Sequence, residues 1–161
     1  MKVKTASAIC QTLNRYVAFD FEYDVKTHVL LAASFVDNFK NKKTYLNNNS
    51  HSEISLIENI NAELLEYDYS MGWNTSTSID SNNGNTNGED DFLDNNSGNG
   101  NGNNTEAQCD LGILYERCEA NGIENIVSKS RKGSQTYYSI PVLKHIDLYQ
   151  VYKKQITRPI S

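Results

Sequence analysis

The sequence predicts an α/β domain in which an antiparallel meander of strands leads into helices that alternate with further strands. Two apolar runs, at 15–23 and 28–36, have the β-branched and aromatic content of buried strands. After residue 52 the apolar period becomes that of a helix, and a second helical face returns at 110–121.

Residues 15–23 open the meander. Side chains two apart on a strand share a face, so Asp20 and Glu22 point the same way. Residues 23–27 supply a turn, 28–36 a second buried strand, and 42–46 a third, shorter one. Ile54, Ile57, Ile60 or Ala62, and Leu64 or Leu65 then recur at helical spacing to about Glu66, with Ser52 or Ser55 placed to cap the first turn. Residues 69–74 read as a short strand running into a polar loop. Residues 81–108 are almost entirely Asn, Gly, Ser, Thr, Asp and Glu, with Phe92-Leu93 the one large apolar pair. Such a tract cannot offset the entropy of folding and is expected to be a disordered insertion. Its acids Glu89, Asp90, Asp91 and Asp94 are expected to be solvated rather than to form a metal or partner site. Leu111, Leu114, Tyr115 and Cys118 trace one face of a helix ending near Asn121, where Gly122 suits a left-handed cap. Residues 123–128 and 136–140 follow as strands around a turn at 129–134. Residues 145–152 close the pattern as a strand or a strand passing into a helix. The order β-β-β-α-β-α-β-β is the layout of ribonuclease H-like folds.

A chain of 161 residues has room for a single domain with a sizeable core. The net charge of -5 excludes a generally basic nucleic-acid coat, but it hides an asymmetry. Residues 1–46 hold seven Lys/Arg against four acids, 47–119 one against fourteen, and 120–161 seven against two, so basic character gathers toward the two ends. Cys10, Cys109 and Cys118 lack CxxC or Cys/His zinc spacing and are expected to be reduced thiols of a cytoplasmic protein. No apolar stretch approaches the length of a membrane span, and no membrane association is expected.

The chemistry concentrates in Phe19-Asp20-Phe21-Glu22. Two carboxylates held side by side repel, and burying them is costly unless they share a proton or a cation. Hard oxygen ligands on a rigid strand suit Mg²⁺ or Mn²⁺. The alternative from these residues alone is an edge strand that exposes both acids to water.

The run Asp110-Leu111-Gly112-Ile113-Leu114-Tyr115-Glu116-Arg117-Cys118-Glu119-Ala120-Asn121-Gly122-Ile123 resembles the second exonuclease motif of family B DNA polymerases, in which Asp begins a helix ending in Arg-Cys-x-x-x-Gly-Ile. His145-Ile146-Asp147-Leu148-Tyr149 is similar to the His-x-Asp-Leu-Tyr strand of the archaeal members, Phe19-Asp20-Phe21-Glu22 to their first exonuclease motif, and Gly72-Trp73-Asn74 to the Tyr-Asn element before the second. The resemblance implies a ribonuclease H-like 3'-5' exonuclease domain of the DEDD type, working with two divalent metals on a DNA 3' end or single-stranded DNA. It implies that Asp20 bridges both metals, that Glu22 holds the metal carrying the attacking water, and that Asp110 completes the shell of the other. An Asp at that place could equally serve as a plain helix cap. Asn74 would contact the terminal nucleotide. Trp73, with Tyr137 and Tyr138, could stack on bases. Lys129, Arg131 and Lys132, with Lys144, Lys153, Lys154 and Arg158, could follow a DNA backbone.

The sequence departs from the family in three places. The family runs continuously from Asn to the motif Asp, whereas here Asn74 and Asp110 are separated by the low-complexity tract, which makes Asp80 a rival; only Asp110 carries the downstream Arg-Cys helix. Cys109 replaces an aromatic residue. The third motif, a Tyr followed by the fourth carboxylate, is not found, and Asp147 and Tyr149 have the wrong spacing to replace it. The expectation is therefore a truncated or split exonuclease domain without polymerase activity, completed by a polymerase, another chain or a downstream segment. The alternative is a catalytically incomplete nucleic-acid-binding remnant.

Overall fold

The computed structural model describes residues 14–48, 51–79 and 109–156. Strand β1 (Tyr16–Tyr23) buries Val17, Phe19 and Phe21 and exposes Ala18, Asp20 and Glu22, the alternation of a half-buried strand. It pairs antiparallel with β2 (Leu30–Asp37), setting Phe19 against Phe35 and Phe21 against Ala33, and β2 pairs antiparallel with β3 (Lys42–Leu46). On its other side β1 meets β4 (Tyr69–Gly72) in parallel, and β4 meets β8 (Lys144–Asp147) in parallel. The sheet order β3-β2-β1-β4-β8 makes this a ribonuclease H-like fold.

Helix α1 (Glu53–Leu64) and helix α2 (Asp110–Asn121) cover the buried side of the sheet. Leu56, Ile57, Ile60 and Leu64 of α1 and Leu111, Ile113, Leu114 and Cys118 of α2 join Val17, Phe19, Phe21, Leu30, Ala33 and Phe35 in one core. Across β1, β2 and β3 the opposite side of the sheet is open among the described residues, with Val36 and Leu46 about half exposed. A smaller antiparallel sheet is formed by β5 (Thr77–Ile79), β6 (Ser128–Lys132) and β7 (Gln135–Ser139), in the order β5-β7-β6. Helix α3 (Leu148–Ile156) follows β8 directly. No described helix is long and apolar enough to cross a membrane.

Several elements follow the sequence closely. The Ser52 hydroxyl accepts the Ser55 N–H at 3.3 Å as the cap of α1, and Gly122 closes α2 at φ +65°. Others do not. Ile54 and Leu65 stand half exposed at the rim of α1 and Leu56 is buried instead, so the apolar stripe lies off the anticipated line. The segment 123–127 is irregular rather than a strand. The basic stretch expected to be a turn is β6 itself, and only Gly133-Ser134 turn, with Gly133 at φ +63°. Strand β6 is an edge strand exposed along its whole length, so it has no apolar period to betray it. Strand β5, three residues long, was also hidden because its partner β7 lies far along the chain. Cys10, Asp80 and the tract 81–108 lie outside the described residues.

A polar knot fixes α2 against the sheet. Glu53 accepts two hydrogen bonds from Arg117, at 2.7 and 2.8 Å, together with the Leu30 N–H at 2.9 Å and the Asn121 amide at 3.2 Å. One carboxylate thus binds α1, α2 and β2, and the Arg-Cys pair of the helix motif is explained by it: Arg117 makes the knot while Cys118 enters the core. Both charged side chains are largely buried, so removing one strands the other. Arg117→Met should lower the unfolding free energy by about 3 kcal/mol. Adding Glu53→Met should restore most of it; urea denaturation of the two variants checks both.

Candidate functional site

Strand β4 stops at Gly72, and its pairing with β1 extends only as far as Ala18. The edge of β1 beyond that point needs another partner, and the Phe21 N–H finds it in Asp110 Oδ2 at 3.1 Å. Asp110 opens α2, but the cap position belongs to Cys109, whose side chain makes no capping bond. The motif aspartate is therefore not a plain helix cap. It reaches across to the strand and binds the amide that lies between Asp20 and Glu22.

Electrostatics record the same grouping. Burial, then repulsion by Asp20, Glu22 and Asp147, pushes the Asp110 carboxyl up to about 7, against the opposing effect of the Phe21 hydrogen bond. Tyr23, at the end of β1, is raised by burial and by Asp110 and Glu22 among its neighbours. Asp20 and Glu22 themselves lie on the solvent side of the strand. The fold thus brings the three expected carboxylates to one end of β1. It does not draw them into a closed cage: among the described residues no three His, Cys, Asp or Glu side chains converge closely enough to hold an ion.

Asp147 stands at the same end of the sheet but has no lone pairs to spare. Its Oδ1 accepts the N–H groups of Asn74 (3.1 Å), Tyr149 (3.0 Å) and Gln150 (3.4 Å), and its Oδ2 accepts those of Thr75 (3.0 Å) and Ser76 (2.9 Å) and the Ser76 hydroxyl (2.8 Å). It is an organiser of the loop after β4 and the cap of α3. His145 is similarly occupied. Its Nδ1 pairs with the Ser70 hydroxyl at 2.8 Å and its Nε2 with the Thr75 hydroxyl at 2.6 Å, while burial drives it down to about 4 and keeps the ring neutral. Both nitrogens are committed, so His145 is structural.

The loop that carries Asn74 is tightly built. A side chain at Gly72 would run into Thr75 and the Phe19 carbonyl, and Asn74 takes a left-handed φ of +55°, which asparagine tolerates. The Thr75 carbonyl accepts the Leu111 N–H at 2.9 Å, docking the start of α2 on this loop. Thr75 and Ser76 were not singled out in the sequence; the only hint of them was the position of Asp147 just ahead of a helix. Trp73 is 59% exposed and leans on Tyr149 and Tyr152. Lys129, Arg131 and Lys132 are exposed on β6, with Lys129 Nζ 5.8 Å from the Tyr115 ring of α2. Tyr137 is partly exposed, whereas Tyr138 is buried over Gly112 and is not available to a base.

Asp110 makes the protein's stability depend on pH in a definite direction. A carboxyl whose value rises from 3.8 unfolded to about 7 folded stabilises the fold fully only below the lower value. That contribution is lost as pH rises through the upper one. Asp110→Asn keeps an acceptor for the Phe21 N–H without the charge. In EDTA, its melting temperature relative to wild type should climb by roughly 5 °C between pH 5 and pH 8. A difference that stays flat in scanning calorimetry would contradict the clustering of charge.

No family model matches this sequence, and no curated protein matches it. In fold the chain is similar to the family B DNA polymerase of the hyperthermophilic archaeon Pyrobaculum calidifontis, with a TM-score of 0.55 and 14% identity over 88% of this chain. The chain spans 16% of the length of that polymerase. The likeness is one of fold.

Proposed function

We propose that this chain is a metal-dependent 3'-5' exonuclease domain of the family B polymerase type, with Asp20, Glu22 and Asp110 as the carboxylates of its Mg²⁺ or Mn²⁺ site. The observation that carries the reading is the bond from the Phe21 N–H to Asp110, which delivers the third carboxylate to the strand bearing the other two. The donor set fits in its chemistry: it is all carboxylate oxygen, and Asp110, raised by burial and then by repulsion from Asp20 and Glu22, would be relieved of that repulsion by a divalent cation. Paired cations in such a site would activate a water for attack on the phosphodiester and stabilise the departing oxygen.

The chain's own residues would bind and orient the strand. Asn74, held by its backbone on Asp147, would meet the terminal nucleotide, and Trp73 beside it a base. Lys129, Arg131 and Lys132, on the exposed edge of the smaller sheet, would follow the phosphates. Since Asp147 is fully engaged, the fourth carboxylate of a DEDD site would come from outside the described residues.

A second reading rests on two other facts: Asp147 is consumed, and the three acids do not close on one another. It makes the domain a nucleic-acid-binding module without turnover.

Purified protein incubated with a 3'-labelled single-stranded DNA and Mn²⁺ should release the label, and Asp20→Ala should lower the rate by more than about 100-fold, the upper end of what outer-shell changes cost. A folded wild-type protein that releases no label would favour the binding module.

A further inference from the structure

We infer that Trp73, Tyr149 and Tyr152 form a fixed stacking platform for the bases of single-stranded nucleic acid, flanked by the Lys153 ammonium group. The platform takes its ligand class from the proposed function, but its geometry stands apart from the carboxylates. Tyr149 and Tyr152 lie three residues apart on α3 and so share a face of that helix. Trp73 rests against both, with ring centroids 5.5 and 5.8 Å away. Contact of this kind usually belongs to a core, yet Trp73 is 59% and Tyr152 51% exposed. The three rings hold one another in place and still present much of their surface to solvent, an arrangement that costs little further ordering when a flat ligand arrives.

The charges on α3 select the ligand. The helix carries no acid, and its last turn carries Lys153 and Lys154. Lys153 Nζ lies 5.6 Å from the Tyr149 ring, so positive charge sits beside the stacking surface. Aromatic faces next to cations are the combination that binds single strands without reading their sequence. Asp147 fixes the backbone of both halves of the platform, through Asn74 on one side and Tyr149 on the other. Gly72, the residue before Trp73, packs against the Phe19 carbonyl next to Asp20, so the platform starts beside the carboxylate end of the sheet. A strand with its 3' end at the carboxylates would lay neighbouring bases on these rings.

Trp73 is the single tryptophan of the chain, so its fluorescence reports the platform alone. Titrating the full chain with an oligothymidylate in EDTA should give saturable quenching that weakens with added salt. Tyr152→Ala should raise Kd roughly tenfold and Tyr152→Phe should leave it near wild type. Tyr152→Leu, which keeps apolar bulk but no stacking face, should behave like the alanine variant. An oligomer of abasic sites should not quench. Circular dichroism would confirm that each variant is folded. Absent quenching, tight abasic binding, or a leucine variant as good as wild type would each overturn the platform, the second in favour of phosphate capture. Quenching without label release in Mn²⁺ would sink the exonuclease reading and leave the platform standing; label release without quenching would do the reverse.

Discussion

Asp147 receives five backbone N–H groups and one hydroxyl, and much of the local architecture hangs from them. Its carboxylate gathers residues 74–76 into a loop and starts α3. That loop offers the Thr75 carbonyl to Leu111, which sets the first turn of α2, and the first turn of α2 sets Asp110 against β1. The chain of dependence runs from a buried acid at the end of β8 to a second acid two strands away. A buried carboxylate supplied with this many donors satisfies its charge locally and acts as a rigid hub. The same saturation removes it from any role as a free ligand.

Around the hub two kinds of acid are treated differently. Glu53 and Glu63 are enclosed by partners: Arg117 and Asn121 for the first, Lys43, Tyr45 and Tyr67 for the second. Those side chains lock helices to strands. Asp20, Glu22 and Asp110 receive no cation among the described salt bridges, and Asp110 stays raised despite its hydrogen bond. The fold therefore spends donors on its supporting acids and leaves repulsion at the end of β1. Such an imbalance costs stability, and relieving it takes a proton or a cation from outside the fold.

Much of the main sheet and both large helices were legible because their apolar residues obey a period: two in β1, helical in α1 and α2. Asp20 and Glu22 were legible for the same reason, since alternation alone puts them on one face. Asp110 was found through the Arg-Cys helix behind it, although its bond to Phe21 spans most of the chain and no local pattern announces it. The edge strand β6 and the short β5 were invisible, because exposed polar residues look the same in a turn and at a sheet edge. The service of Thr75 and Ser76 to the hub is set by tertiary approach, as is the meeting of Trp73 with Tyr149 and Tyr152. The sequence offered only their chemistry.

The Thr75 carbonyl bond to Leu111 and the pairing of β5 with β7 have one further consequence. They clamp the chain on both sides of the interval between Ile79 and Cys109, and the clamp belongs to the fold rather than to the interval. The positions of Ile79 and Cys109 are therefore set by contacts of β5 and α2 themselves. A change in the length of the sequence between them would leave the carboxylates at the end of β1 in their places.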